Sequence, residues 1–165
     1  MEIGGRDLVR MPLAVGENLQ RKSKGQVEEV SKEGKALMNL FLTGGTFHIG
    51  RLFLTNHRLI LLPYSEAEVR KASTMKKITY GLLGQTKLNI PEPKINFQMQ
   101  VLTIPLREVR TINPFRKHRV VHPCMYVLTR RGNYKLKFVP NESPMEWARA
   151  IASLAPIKIA DVVPR

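Results

Sequence analysis

The chain has 165 residues and a mass of 18.8 kDa, about one ordinary domain, and carries 27 Lys and Arg against 13 Asp and Glu, a formal charge of +14 with a pI near 10.3. So one-sided a balance points to a polyanionic neighbour, phosphorylated lipid headgroups or nucleic acid, while an apolar content of 43% excludes general disorder. The single cysteine, Cys124, excludes an internal disulfide framework and a cysteine-rich zinc module, and the longest apolar stretches, Leu59 to Leu62 and the interrupted Ala36 to Leu42, fall far short of the roughly 20 residues that cross a bilayer.

The amino-terminal stretch MEIGGRDLVRMPLAV has no basic start followed by an apolar run and a small-residue cleavage site. The expected location is therefore the cytosol or the cytosolic face of a membrane. Residues 1–34 are polar and glycine-dotted. They read as an extended arm, flexible over 1–11, with one leading strand from Val27 to Val30. Next come ALMNLFLT, TFHIGRLFLT and RLILLPY, three strand-like runs separated by Gly44-Gly45 and Asn56-His57, the pattern of an antiparallel meander.

Ser65 to Lys94 is an insertion that a compact meander does not need. Its first half opens with Ser-x-x-Glu and carries Arg70, Lys71, Lys76 and Lys77; its second half sets Tyr80, Leu82 and Leu83 between glycines. Strand signals resume in INFQMQVLTIPL, REVRTI, RVVHPCMYVLTR and YKLKFV. In the last, Tyr134, Leu136 and Phe138 share one face, opposite Lys135 and Lys137, so one side is buried and the other solvated and cationic.

At Ser143 the period changes. Ser-Pro-Met-Glu supplies a cap, a proline at the first helical position and Glu146 at the third. Trp147, Ile151 and Leu154 then fall on one stripe until Pro156 stops the helix. The expected architecture is mainly β: a seven-stranded antiparallel sandwich or partly open barrel capped by one C-terminal α-helix, spanning 12–156, with 157–165 as a tail or linker.

The string GRLFLTNHRLILLPY, Gly50 to Tyr64, preceded by GENL at Gly16 to Leu19, resembles the signature of GRAM domains and the related GLUE domains of the pleckstrin-homology-like superfamily. Thr55, Asn56 and Arg58 match its turn, and IPLREVRTI and MEWARAI extend the resemblance over about Pro12 to Pro156. It implies a pleckstrin-homology-like fold and a binding role, in lipid reading or in protein docking, with no cofactor. The first hairpin, LTGGTFHIGRLFL, departs from strongly phosphoinositide-selective members by offering only His48 and Arg51.

No nucleophile elbow, P-loop or dinucleotide fingerprint occurs, so no catalytic residue is expected. His118, His122 and Cys124, with His48 or His57, have zinc-compatible spacing but lack the two clear ligand pairs of structural zinc sites; a strand-edge histidine pair beside a buried thiol accounts for them.

The basic residues carry the positive case. Between Pro105 and Lys137 nine Lys and Arg stand against Glu108 alone, among them Arg116, Lys117 and Arg119 in the cluster Asn113 to Arg119, read as a loop, and Arg130 and Arg131 further on. With Arg70, Lys71, Lys76 and Lys77 these form the expected lipid-binding set, each worth about 1 kcal/mol at an anionic bilayer, with Leu82 and Leu83 as an apolar tip. The leading expectation is an adaptor that docks on anionic membranes. The alternative implied by the GLUE resemblance is a protein-interaction module for ubiquitin or an ESCRT-II-like trafficking partner, using the outer helix face around Glu146 and Arg149. Nucleic acid ranks below both, because the eleven aromatic residues form no ordered stacking row.

Overall fold

The computed structural model describes residues 13–24, 27–29, 48–64, 71, 101–115 and 123–160. These form strands β1 (Leu19–Lys22), β2 (Val27–Glu29), β3 (His48–Thr55), β4 (Arg58–Pro63), β5 (Leu102–Pro105), β6 (Val109–Phe115), β7 (Cys124–Thr129), β8 (Asn133–Lys137) and β9 (Lys158–Ile159), with a 3₁₀ turn at Leu106–Glu108 and the helix α1 (Pro144–Ala152). The ladder runs β5-β4-β3-β2-β8-β7-β6-β9, and β1 continues alongside β3 where β2 leaves off. The β2–β8 pairing folds this ribbon into two facing layers, a β-sandwich, and among the described residues β5 and β6 are joined by the 3₁₀ turn rather than by strand pairing, so the barrel stays open.

Alternation explains most of the strands. Ile112, Met125, Val127, Tyr134 and Leu136 turn inward and meet Leu52, Leu54, Leu59 and Leu61 from the opposite layer. β4 is the exception, a continuous apolar run because both of its faces are covered: Leu59 and Leu61 enter the main core, while Ile60 and Leu62 join Phe53 in a second cluster with Leu13, Leu19 and Val101. At Gly50 a side chain would drive its Cβ into the Leu62 carbonyl and to 2.7 Å from that carbonyl's carbon, so only glycine lets β3 and β4 pair there.

α1 covers the open apolar side. Ser143 accepts the Glu146 N–H at 3.4 Å and Pro144 opens the helix, as the sequence predicts. Trp147, Ala148 and Ile151 are fully buried, and the indole stacks on Phe138 with ring centroids 5.8 Å apart. Glu146 is turned to Arg21 of β1, whose Nη2 donates to its carboxylate at 2.7 Å. Arg21 also lies 5.2 Å over the Trp147 ring, and the buried Glu142 accepts from the indole N–H at 2.9 Å and the Lys24 amide at 2.6 Å. The start of the sheet is thereby clamped to the helix.

Four expectations change. β1 occupies residues read as arm, held by its register against Phe53, Leu54 and Thr55. Asn113, Pro114 and Phe115, read as loop, continue β6 opposite Tyr126, Met125 and Cys124; Pro114 fits because β9 flanks β6 at Thr111 and Ile112, and among the described residues no strand stands beside Pro114 to need its missing N–H. Part of the supposed tail is β9, paired in parallel with β6. Arg107 and Glu108, read as the start of a strand, belong to the 3₁₀ turn. The run ALMNLFLT lies outside the described residues, as does the insertion apart from Lys71.

Candidate binding site

The motif residues GENL and LTNHR, remote in sequence, converge at the β3–β4 turn. Glu17 is buried, with only 1% of its side chain exposed. One carboxylate oxygen accepts from Thr55 Oγ1 at 2.7 Å and Arg58 Nε at 2.8 Å; the other accepts from Arg58 Nη2 at 3.0 Å and the Ala14 amide at 2.8 Å. Burial alone would raise the Glu17 pKa, but the Arg58 guanidinium, the Ala14 amide and the Thr55 hydroxyl together hold it down at about 2. Asn56 completes the lock: its Oδ1 accepts from the Asn18 amide at 2.9 Å and its Nδ2 donates to the Gly16 carbonyl at 3.0 Å. The side chains of Glu17, Thr55, Asn56 and Arg58 all have partners inside the chain, so these four build the turn, and His57 between them is exposed.

Two surfaces remain open. The first is the outer face of β6 to β9. Opposite the inward core positions stand Thr111 and Asn113 on β6, Tyr126 and Leu128 on β7, Asn133, Lys135 and Lys137 on β8, and Lys158 on β9. Lys135 Nζ lies 5.5 Å over the Tyr126 ring, Leu128 is 37% exposed, and Arg110 is exposed in the bulge between Val109 and Thr111. These four strands contain no acidic residue.

The second is a groove of about 740 Å³ at the end of the sandwich where the β3–β4 turn, the 3₁₀ turn and the residues after α1 meet. The Leu106 amide donates to the His57 carbonyl at 2.9 Å and the Arg130 amide to Glu108 at 3.1 Å, which brings the 3₁₀ turn, His57 and the β7–β8 turn together. Its lining is apolar at Leu13, Pro105, Leu106, Leu154, Ala155 and Pro156 and polar at Glu17, Asn56, His57, Arg58 and Arg107.

Of the expected lipid-binding residues, Arg130 and Arg131 sit in the β7–β8 turn, with Arg131 paired to Glu108 at 3.4 Å, and Lys71 is exposed. Arg116, Lys117, Arg119, Arg70, Lys76, Lys77, Leu82 and Leu83 lie outside the described residues. The strand ends that flank the 116–122 segment, Phe115 and Cys124, stand at the far end of β7 from Arg130, about 17–20 Å away along six strand residues. Arg149 is exposed on α1, and Glu146 beside it is held by Arg21, which keeps its carboxyl below the usual range. Cys124 is buried at the start of β7, and His118 and His122 fall outside the described residues. Sequence reasoning missed His57 and Arg107 as neighbours, since nothing in a linear pattern tells which turn a 3₁₀ segment will pack against. Among the described residues no helix is long and apolar enough to cross a membrane.

No protein-family model and no curated protein matches this chain. Among solved structures it is similar to the C-terminal domain of an unknown protein from Leishmania infantum, at 15% identity over 85% of each chain with a TM-score of 0.45. It is also similar to the hSac2 domain of the human phosphoinositide phosphatase Sac2, at 13% identity over 96% of this chain and 85% of that one with a TM-score of 0.47. A third likeness is to the DH/PH domains of p115-RhoGEF, at 14% identity over 96% of this chain and 35% of that one with a TM-score of 0.44. Likenesses this distant assign no function.

Proposed function

We propose that this chain is a non-catalytic binding module that docks on anionic membrane surfaces through the outer face of β6 to β9. The observation that carries this reading is the acid-free composition of those four strands, whose solvent side bears Arg110, Lys135, Lys137 and Lys158 around Tyr126 and Leu128. Cations beside an anionic leaflet contribute about 1 kcal/mol each, so a handful recruits the protein reversibly without a deep headgroup pocket. Tyr126 and Leu128 add an apolar body at the depth where amphipathic side chains settle. The resemblance to GRAM and GLUE domains agrees with such a role. The helix face offers a ubiquitin-like partner less, because Glu146 is already engaged by Arg21.

Co-sedimentation with phosphatidylcholine vesicles, with and without phosphatidylserine, tests the reading. Binding should require the anionic lipid, and a triple Arg110→Glu, Lys135→Glu, Lys158→Glu variant should lose at least about 100-fold in affinity at an unchanged melting temperature. Equal binding to neutral vesicles, or an unaffected triple variant, defeats it.

A further inference from the structure

We propose that the groove at the β3–β4 turn holds a single-chain anionic phospholipid, its phosphate at His57 and Arg107 and its acyl chain along Leu13, Pro105, Leu106 and Leu154. This goes beyond membrane docking and uses different residues. A volume of about 740 Å³ lies within the range of small-ligand sites, which combine an apolar lining with a few fixed polar groups.

The charges in the groove are unequal. The one carboxylate among the described residues that line it, Glu17, is already paired with Arg58, whereas Arg107 is exposed and no acid pairs with it among the described residues. Leu154, Ala155 and Pro156 line the groove from just past the carboxyl terminus of α1, where the partial negative charge of the helix disfavours an anion. The phosphate is therefore better placed at Arg107 than beside these three residues.

Backbone chemistry separates a lipid from an extended peptide. The amides of Glu17, Asn56, His57, Arg58, Leu106 and Leu154 are all spent on acceptors within the chain, and Pro105 and Pro156 have none to give. A peptide strand would find few donors to continue its ladder. An acyl chain asks for none.

Isothermal titration of the full chain with oleoyl-lysophosphatidate, kept below its micelle concentration, tests the proposal against three controls: mono-oleoylglycerol, glycerol phosphate, and an acidic peptide with apolar side chains. Saturable one-to-one binding of the lysolipid is expected, at least tenfold tighter than any control. Arg107→Gln, an exposed position where unfolding is no concern, should weaken it about tenfold, and Leu154→Glu should abolish it in a protein whose cooperative melt confirms folding. The triple variant of the sheet face should bind the lysolipid with unchanged affinity, so that failure of vesicle docking and failure of the groove are told apart. Absence of saturable binding, indifference to Arg107→Gln, or preference for the peptide overturns the proposal.

Discussion

The residue that most repays attention is Glu17, a carboxylate out of water with four hydrogen bonds and one guanidinium partner. Its removal takes from Arg58 the carboxylate that its Nε and Nη2 both grip. Glu17→Gln should destabilise the protein by about 2–3 kcal/mol, somewhat less than breaking a fully buried ion pair costs, because Arg58 keeps 23% of its side chain in solvent. The pH dependence follows from the same contacts. A carboxyl with an ordinary value of 4.5 and a folded value of about 2 contributes its full stabilisation above pH 4.5 and loses it as pH falls through about 2. Denaturant titrations of wild type and Glu17→Gln across that window should converge at the acid end; a gap independent of pH would assign the loss to packing instead. The sequence displayed both halves of this lock as motif residues, but their pairing spans 41 positions and has no linear signal.

Among elements, β3 and the turn before β1 make opposite demands on glycine. Gly50 has no room for a Cβ against the β4 backbone, whereas Gly16 has open space around it but a φ of +76° that side chains avoid. Gly50→Ala should therefore cost about 3 kcal/mol by forcing β3 and β4 apart, and Gly16→Ala about 1 kcal/mol by backbone strain alone. Equal losses in chemical unfolding would contradict this division. The elements that were legible in advance had strong periodicity or a cap: the β3–β4 hairpin across Asn56-His57, the alternating β8, and α1 behind Ser143. Those that escaped lacked both. Leu19–Lys22 is mostly polar and becomes a strand through pairing with β3, and Lys158–Ile159 is too short to carry any period.

At the scale of the molecule, charge is distributed unevenly. The acids with described side chains are committed: Glu17 to Arg58, Glu108 to Arg131, and Glu142 and Glu146 to Arg21. The outer face of β6 to β9 is left cationic, as the alternation of Lys135 and Lys137 with Tyr134 and Leu136 announced. Attraction between such a face and an anionic bilayer is screened over about 8 Å at physiological ionic strength. Vesicle affinity should accordingly fall steeply as salt rises, and binding that survives molar salt would point to apolar contact as its main source. The groove was not legible, because its lining comes from four separated stretches, Leu13 to Glu17, Asn56 to Arg58, Pro105 to Arg107 and Leu154 to Pro156.

The parallel strand β9 also bears on how the molecule behaves in company. It is the last rung on its side among the described residues, two residues long, with Lys158 exposed and Pro156 shortly before it. A border so brief and so charged gives a neighbouring copy almost no template to extend. Among the described residues, that flank of the sandwich therefore offers little on which aggregates could grow strand by strand.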